Sequence, residues 1–95
     1  MLIHIKVFGR VQGVGFRAWT CRQANSLCLS GWVRNRISGS VEIMADGNEK
    51  DIVVFLKLCQ KGPLFSRVDR IEPVSNPDAP IIPVEYGVFT NQATV

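Results

Sequence analysis

This 95-residue chain contains no Asp or Glu before Glu42. No carboxylate nucleophile is therefore at hand for chemistry built in that first stretch. Lys6, Arg10, Arg17, Arg22, Arg34 and Arg36 all fall within it, whereas the remainder holds five basic and eight acidic residues. A formal net charge of +3 thus joins a cationic half to a mildly acidic one. Such asymmetry points to an anionic ligand, although basic residues scattered over a solvated surface would produce the same count.

Other absences narrow the field. Histidine occurs once, as His4, in a strand-like stretch with no partner motif, and reads as a sheet-face residue. No set of His, Cys or carboxylates has metal-ligand spacing, so neither a metal nor another cofactor is expected. Cys21, Cys28 and Cys59 are odd in number and lack a CxxC spacing. On one helix Cys21 and Cys28 would lie about 10 Å apart along the axis, too far to bridge. All three are expected to be reduced thiols of a cytoplasmic protein, mostly filling its core. No apolar run approaches the roughly 20 residues that span a bilayer. Leu2 to Val7 alternates like a strand and lacks the charged head and apolar block of a signal peptide. Repeats, low-complexity segments and linkers are missing too, so one domain over residues 1–95 is expected.

The elements follow from periodicity. Residues 2–8 read as a strand with Ile3, Ile5 and Val7 on one face. Residues 17–28 suit a short helix striped by Cys21, Ala24 and Cys28. Gly31–Ile37 and Ser40–Ala45 form two strands joined at Ser38-Gly39. A second helix presents Ile52, Phe55, Leu56 and Cys59, with Glu49 and Asp51 in its first turn and Gly62-Pro63 as its stop. A strand spans about 66–74, where Val68 and Ile71 break alternation and imply a bulge. Val84–Phe89 reads as a last strand, and the tail to Val95 shows no period. The order is β-α-β-β-α-β with an extra strand admitted. This is an α+β, ferredoxin-like sandwich of two helices on one face of an antiparallel sheet. Many functions share that architecture.

Chemistry concentrates in Gly9 to Arg17, GRVQGVGFR. The segment leaves a strand, turns through Gly9, Gly13 and Gly15, and opens a helix. Glycines let consecutive N–H groups face one concavity, and a helix N-terminus favours an anion there. Arg17 breaks a local rule, because a cation in a first helical turn is disfavoured by roughly 0.3–1 kcal/mol. A bound phosphate would remove that conflict through paired hydrogen bonds from the guanidinium. Glycine spacing alone fits equally well a tight turn with a solvent-facing arginine. No GK[ST] follows, so this is not a Walker loop, and it is not a dinucleotide fingerprint. A cysteine phosphatase would carry its thiol inside the cradle, whereas Cys21 lies one helical turn beyond Arg17.

GRVQGVGFR followed by Gly31-Trp32-Val33-Arg34-Asn35 resembles the paired signature of the acylphosphatase family. The similarity continues through the hairpin, Gly62-Pro63 and Arg67-Val68-Asp69-Arg70-Ile71. The chain departs from the family at Ser38-Gly39, commonly Asp-Gly, and at Leu27-Cys28-Leu29, commonly Leu-Gly-Leu. The resemblance implies that Arg17 grips a phosphate and that Asn35 orients the attacking water. The amides of Arg10, Val11, Gln12, Gly13, Val14, Gly15 and Phe16 would complete the cradle with that of Arg17. Position alone reads Asn35 as an asparagine satisfying backbone groups near a strand end.

An asparagine is a poor general base, which suits an acyl phosphate. Its carboxylate leaves unprotonated, and a loose phosphoryl-transfer transition state needs mainly positioning and charge stabilisation. The resemblance implies action on small acyl phosphates; a cytoplasmic monomer is expected, with inorganic phosphate or sulfate as a competing ligand and no membrane or nucleic-acid partner. One alternative is a non-catalytic ferredoxin-like module binding an anion or RNA. Ser40–Ala45 lacks the stacking aromatics of such an RNA platform and carries Glu42. Another is a module of a larger carbamoyl-transfer maturation enzyme, which a chain of 95 residues without further domains disfavours.

Overall fold

The computed structural model describes residues 1–95. Leu2–Arg10 forms β1, Phe16–Ser26 α1, Ser30–Asn35 β2, Val41–Asp46 β3, Glu49–Lys61 α2, Arg67–Pro73 β4 and Phe89–Asn91 β5. The sheet order is β4-β1-β3-β2-β5, so β3 lies between β1 and β2 as in a split β-α-β unit. β1, β3, β2 and β4 pair antiparallel, with Ile5 opposite Ile43 and Val33 opposite Ile43 on the other side.

One core holds the layers together. Ile5, Val7, Val33, Val41, Ile43 and Ala45 face the helices, where Phe16, Ala24, Ile52, Phe55 and Cys59 meet them. Fully burying side chains of this size contributes roughly 1.5–3 kcal/mol each. The expected bulge is present: Phe8 pairs with Arg70 and Gly9 with Val68, which leaves Asp69 as the extra residue. Val68 and Ile71 therefore both reach the core although three positions apart.

The last strand differs from expectation. Residues 84–88 form no strand, and β5 runs parallel to β2, with Gly31 opposite Phe89, which makes the sheet mixed. The physical reason is a crossing: β4 and β5 occupy opposite edges, so the chain between them must traverse the sheet. It does so over the face away from the helices. Trp32 Nε1 donates to Ile82 O at 2.8 Å and Arg34 Nη1 to Pro80 O at 3.1 Å. Of the expected strand Val84–Phe89 only Phe89 is paired, and residues 85–88 are exposed.

The cysteines are split. Cys59 is buried in α2 and Cys21 packs against the core, but Cys28 is exposed. α1 ends at Ser26, and Cys28 takes the left-handed turn beyond it, at φ 55°. Its thiol therefore leaves the stripe that helical spacing assigned to it.

Candidate active site

The two helices begin in contrasting ways. α2 is capped conventionally: Asn48 Oδ1 accepts from the Asp51 amide at 2.9 Å, and Glu49 and Asp51 lie in the first turn. α1 has neither a side-chain cap nor an acid in its first turn. Its N-cap is Gly15 at φ 76°, preceded by Gly13 at φ 74°. Two left-handed residues at alternate positions curl the chain so that successive amides share one concavity. The amides of Val11 through Ala18 donate to no protein acceptor, and the first closing bond is Trp19 N to Gly15 O at 3.0 Å.

These amides border a cleft of about 190 Å³, whose walls include Gln12, Gly13, Gly15, Arg17, Asn35 and Asn91. Arg17, the second residue of α1, makes no hydrogen bond or ion pair with any carboxylate of the chain. Asn35 ends β2 on the face shared with Gly31 and Val33, which brings it to the N-terminus of α1. Its Oδ1 is buried and accepts no hydrogen bond. Leaving such an acceptor unpaired costs about 1–3 kcal/mol. The site thus combines donors for an anion, one guanidinium and one neutral acceptor. Its walls contain no Asp, Glu, His or Cys.

The expected cradle residues do not all face the cleft. Val11, Gln12, Gly13, Gly15, Phe16 and Arg17 line it, whereas Arg10 and Val14 do not. Arg10 is the exposed last residue of β1, opposite Arg67, and Val14 turns towards the core and a neighbouring groove. Sequence reasoning missed the side-chain role of Gln12 and the presence of Asn91. Gln12 does more than offer an amide: its Nε2 donates to Arg36 O at 2.8 Å and Ser40 O at 2.9 Å, fastening the loop to the β2–β3 hairpin. Asn91 arrives on β5. No local pattern marked the Gln12 tether or Asn91, because both depend on partners distant in sequence.

The cationic stretch also divides. Arg34, Arg36 and Lys6 turn away from the cleft, on the opposite face of the sheet. There Glu42, 1% exposed, accepts from Arg34 Nε at 2.9 Å, Arg36 Nη1 at 3.1 Å and His4 Nε2. Asp78 accepts from Arg36 at 2.7 Å and Lys6 at 3.1 Å. Burial acts to raise the Glu42 carboxyl, but hydrogen bonds from Arg34 and His4 outweigh it and hold the pKa below its ordinary value. Hydrogen bonds from Arg36 and Lys6 hold Asp78 well below the usual carboxylate range. Half of the early cations are therefore structural partners, and Arg10, Arg17 and Arg22 remain without a carboxylate.

Comparison with known proteins follows the same residues. The acylphosphatase family model matches residues 3–81, a range containing both Arg17 and Asn35. An acylphosphatase of Rhizorhabdus wittichii is 49% identical over 93 residues, covering 98% of this chain and 87% of its own. The crystal structure of acylphosphatase from Bacillus subtilis superposes with a TM-score of 0.81 at 36% identity, over 97% of this chain and 99% of that one. HypF of T. kodakarensis matches all of this chain with 12% of its own length, at a TM-score of 0.76 and 34% identity, so the fold also occurs inside a far longer protein. By family model, sequence and fold together, the chain belongs to the acylphosphatase family.

Proposed function

We propose that Arg17, Asn35 and the loop amides are the working parts of an acylphosphatase that hydrolyses the carboxyl–phosphate anhydride of small acyl phosphates. The observation that carries this reading is the meeting of Arg17 and Asn35 in one cleft walled by amides that have no protein acceptor. The phosphoryl oxygens bind the guanidinium and the loop N–H groups, which stabilise the equatorial charge. The Asn35 side-chain amide holds a water by hydrogen bonding and aims its lone pair at phosphorus. In-line attack forms the new P–O bond while the P–O bond to the acyl group breaks. The electron pair leaves on the carboxylate, and the water proton passes to a phosphate oxygen. The products are a carboxylic acid anion and inorganic phosphate.

A neutral amide suffices because the leaving carboxylate needs no proton and the water needs orientation more than deprotonation. No three His, Cys, Asp or Glu side chains are grouped to hold a metal ion, and the proposed steps use only this chain's residues. The RNA-platform alternative is disfavoured by the segment draped over the open sheet face through Pro80 and Ile82. We propose that the chain acts as a cytoplasmic monomer, with phosphate or sulfate competing for the cradle. No helix is long and apolar enough to cross a membrane. Phosphate release from acetyl phosphate by the purified chain with chelator present tests the reading. Absence of release overturns it, and chelator-sensitive release overturns the metal-independent route.

A further inference from the structure

Asn35 Oδ1 accepts no hydrogen bond from the chain, so no partner at that atom fixes the aim of the side chain. Its direction depends on how the backbone of residues 34–36 is held. The neighbours of Asn35 on that backbone, Arg34 and Arg36, point to the opposite face of the sheet and are buried there. Arg34 Nε at 2.9 Å and Arg36 Nη1 at 3.1 Å donate to the same oxygen of Glu42, Oε1. The strand is thus anchored from behind, on both sides of Asn35, through one carboxylate.

Arg36 makes ties that Arg34 does not. Its guanidinium also donates to Asp78 Oδ1 at 2.7 Å, in the segment draped over the sheet, and to Val95 O at 3.0 Å. Val95 in turn flanks Asn35: its amide donates to Asn35 O at 3.3 Å, and its carbonyl accepts from Ile37 N at 2.9 Å. Along the main chain, Arg36 N donates to Ser40 O at 2.9 Å, and Arg36 O accepts from Gln12 Nε2 at 2.8 Å. One residue beside Asn35 therefore joins the cradle loop, the hairpin, β3, the draped segment and residue 95. Hydrogen bonds with charge on both partners are about twice as strong as neutral ones, so the Glu42 and Asp78 contacts are the stiff members of this set.

We infer that Arg36 is a positioning residue for hydrolysis, and that Asp78, acting through the Arg36 guanidinium, keeps Asn35 at the distance from the cradle that the attacking water needs. This rests on the role proposed above for Asn35. Neither Arg36 nor Asp78 lines the cleft, so both act through Asn35 and not on substrate. Misplacing a reacting group by about 1 Å can cost about 10²-fold in rate. Phosphate is held by Arg17 and the loop amides, so a shift of Asn35 alone acts on turnover and not on binding.

Acetyl phosphate turnover and calorimetric phosphate affinity, measured in the full chain and in Asp78→Asn, Arg36→Lys and Arg36→Met, test the inference. The Asp78 side chain is 60% exposed, so Asp78→Asn should keep the fold even where Arg36→Met does not. We expect kcat to fall about tenfold in Arg36→Met and about threefold in Asp78→Asn and Arg36→Lys, with phosphate affinity within about twofold of wild type. In an Asn35→Ala background, Asp78→Asn should cause no further loss, because its effect passes through Asn35. Wild-type kcat in Asp78→Asn, a matching loss of phosphate affinity, or the same loss with and without Asn35 overturns the inference and leaves the cradle reading standing. A wild-type chain that releases no phosphate overturns the cradle reading and, with it, this inference.

Discussion

The side-chain amide of Gln12 donates to the carbonyl of Ser40 at 2.9 Å, reaching from the loop before α1 to the far side of the β2–β3 hairpin. The same nitrogen holds the Arg36 carbonyl at 2.8 Å. That hairpin carries Asn35, so a single side chain sets the spacing between the cradle and the residue proposed to hold the water. Gln12→Ala should cost about 1–2 kcal/mol in urea unfolding and raise KM. Gln12→Glu should be worse, because a carboxylate would face two carbonyls. Wild-type stability and KM in both variants would show that the tether is dispensable.

Arg17 gives a prediction with two opposite signs. Arg17→Ala should lower kcat/KM on acetyl phosphate by about 10²-fold or more. In phosphate-free buffer the same variant should be as stable as wild type or more so, by about 0.3–1 kcal/mol, because a cation leaves a helix N-terminus. Added phosphate should raise the melting temperature of the wild type and not that of the variant. A variant that is both less stable and still responsive to phosphate would assign Arg17 a structural role instead.

Asn35 separates binding from turnover. Asn35→Ala should keep phosphate affinity within about twofold while kcat falls about 10²-fold. Asn35→Asp should weaken phosphate binding as well, since a carboxylate would then face the anion. Calorimetric titration with phosphate beside a turnover assay distinguishes these effects. Full activity in Asn35→Ala would remove this residue from the mechanism.

Acid should act through Glu42. Its pKa is depressed in the folded chain, so it contributes stability above its unfolded value of about 4.3 and loses it as pH falls through the lower folded value. Glu42→Gln should cost about 3–5 kcal/mol at neutral pH, because Arg34 has no other carboxylate and is itself buried. Unfolding curves of the two proteins should converge as pH drops below about 4. Curves that stay parallel would show that the stability is not carried by the Glu42 charge.

Cys28 carries backbone strain at φ 55°. Cys28→Gly should stabilise the chain by about 0.5–1 kcal/mol, which is several degrees in melting temperature for a domain of this size. Cys59 is buried, and burial pushes its thiol up to about 12. A thiol reagent should therefore label Cys28 first and reach Cys59 only on unfolding. Equal labelling rates in the native state would contradict this packing.

What could be read from the chain alone was whatever depends on neighbours in sequence. The cradle glycines, the misplaced charge of Arg17, the cap and stop of α2 and the bulge near Val68 all carry local marks. The side on which Arg34 and Arg36 fall is fixed by pairing with Glu42 across the sheet, so counting early cations overstated the pull at the cleft. Residues 84–88 alternate in sequence although 85–88 are exposed, and no local pattern separates that from strand pairing. Asn91 lies in the cleft only because β5 returns beside β2.

The pairing of Lys6, Arg34 and Arg36 with Glu42 and Asp78 has a consequence for traffic. With those charges paired on the far face, Arg17 in the cradle and Arg22 in the adjoining groove are the early cations left uncompensated on the cleft side. A dianion approaching the cleft would therefore meet unpaired positive charge before contact. The same field holds back departing phosphate. Added salt should therefore slow capture and speed release, trading kcat/KM against kcat.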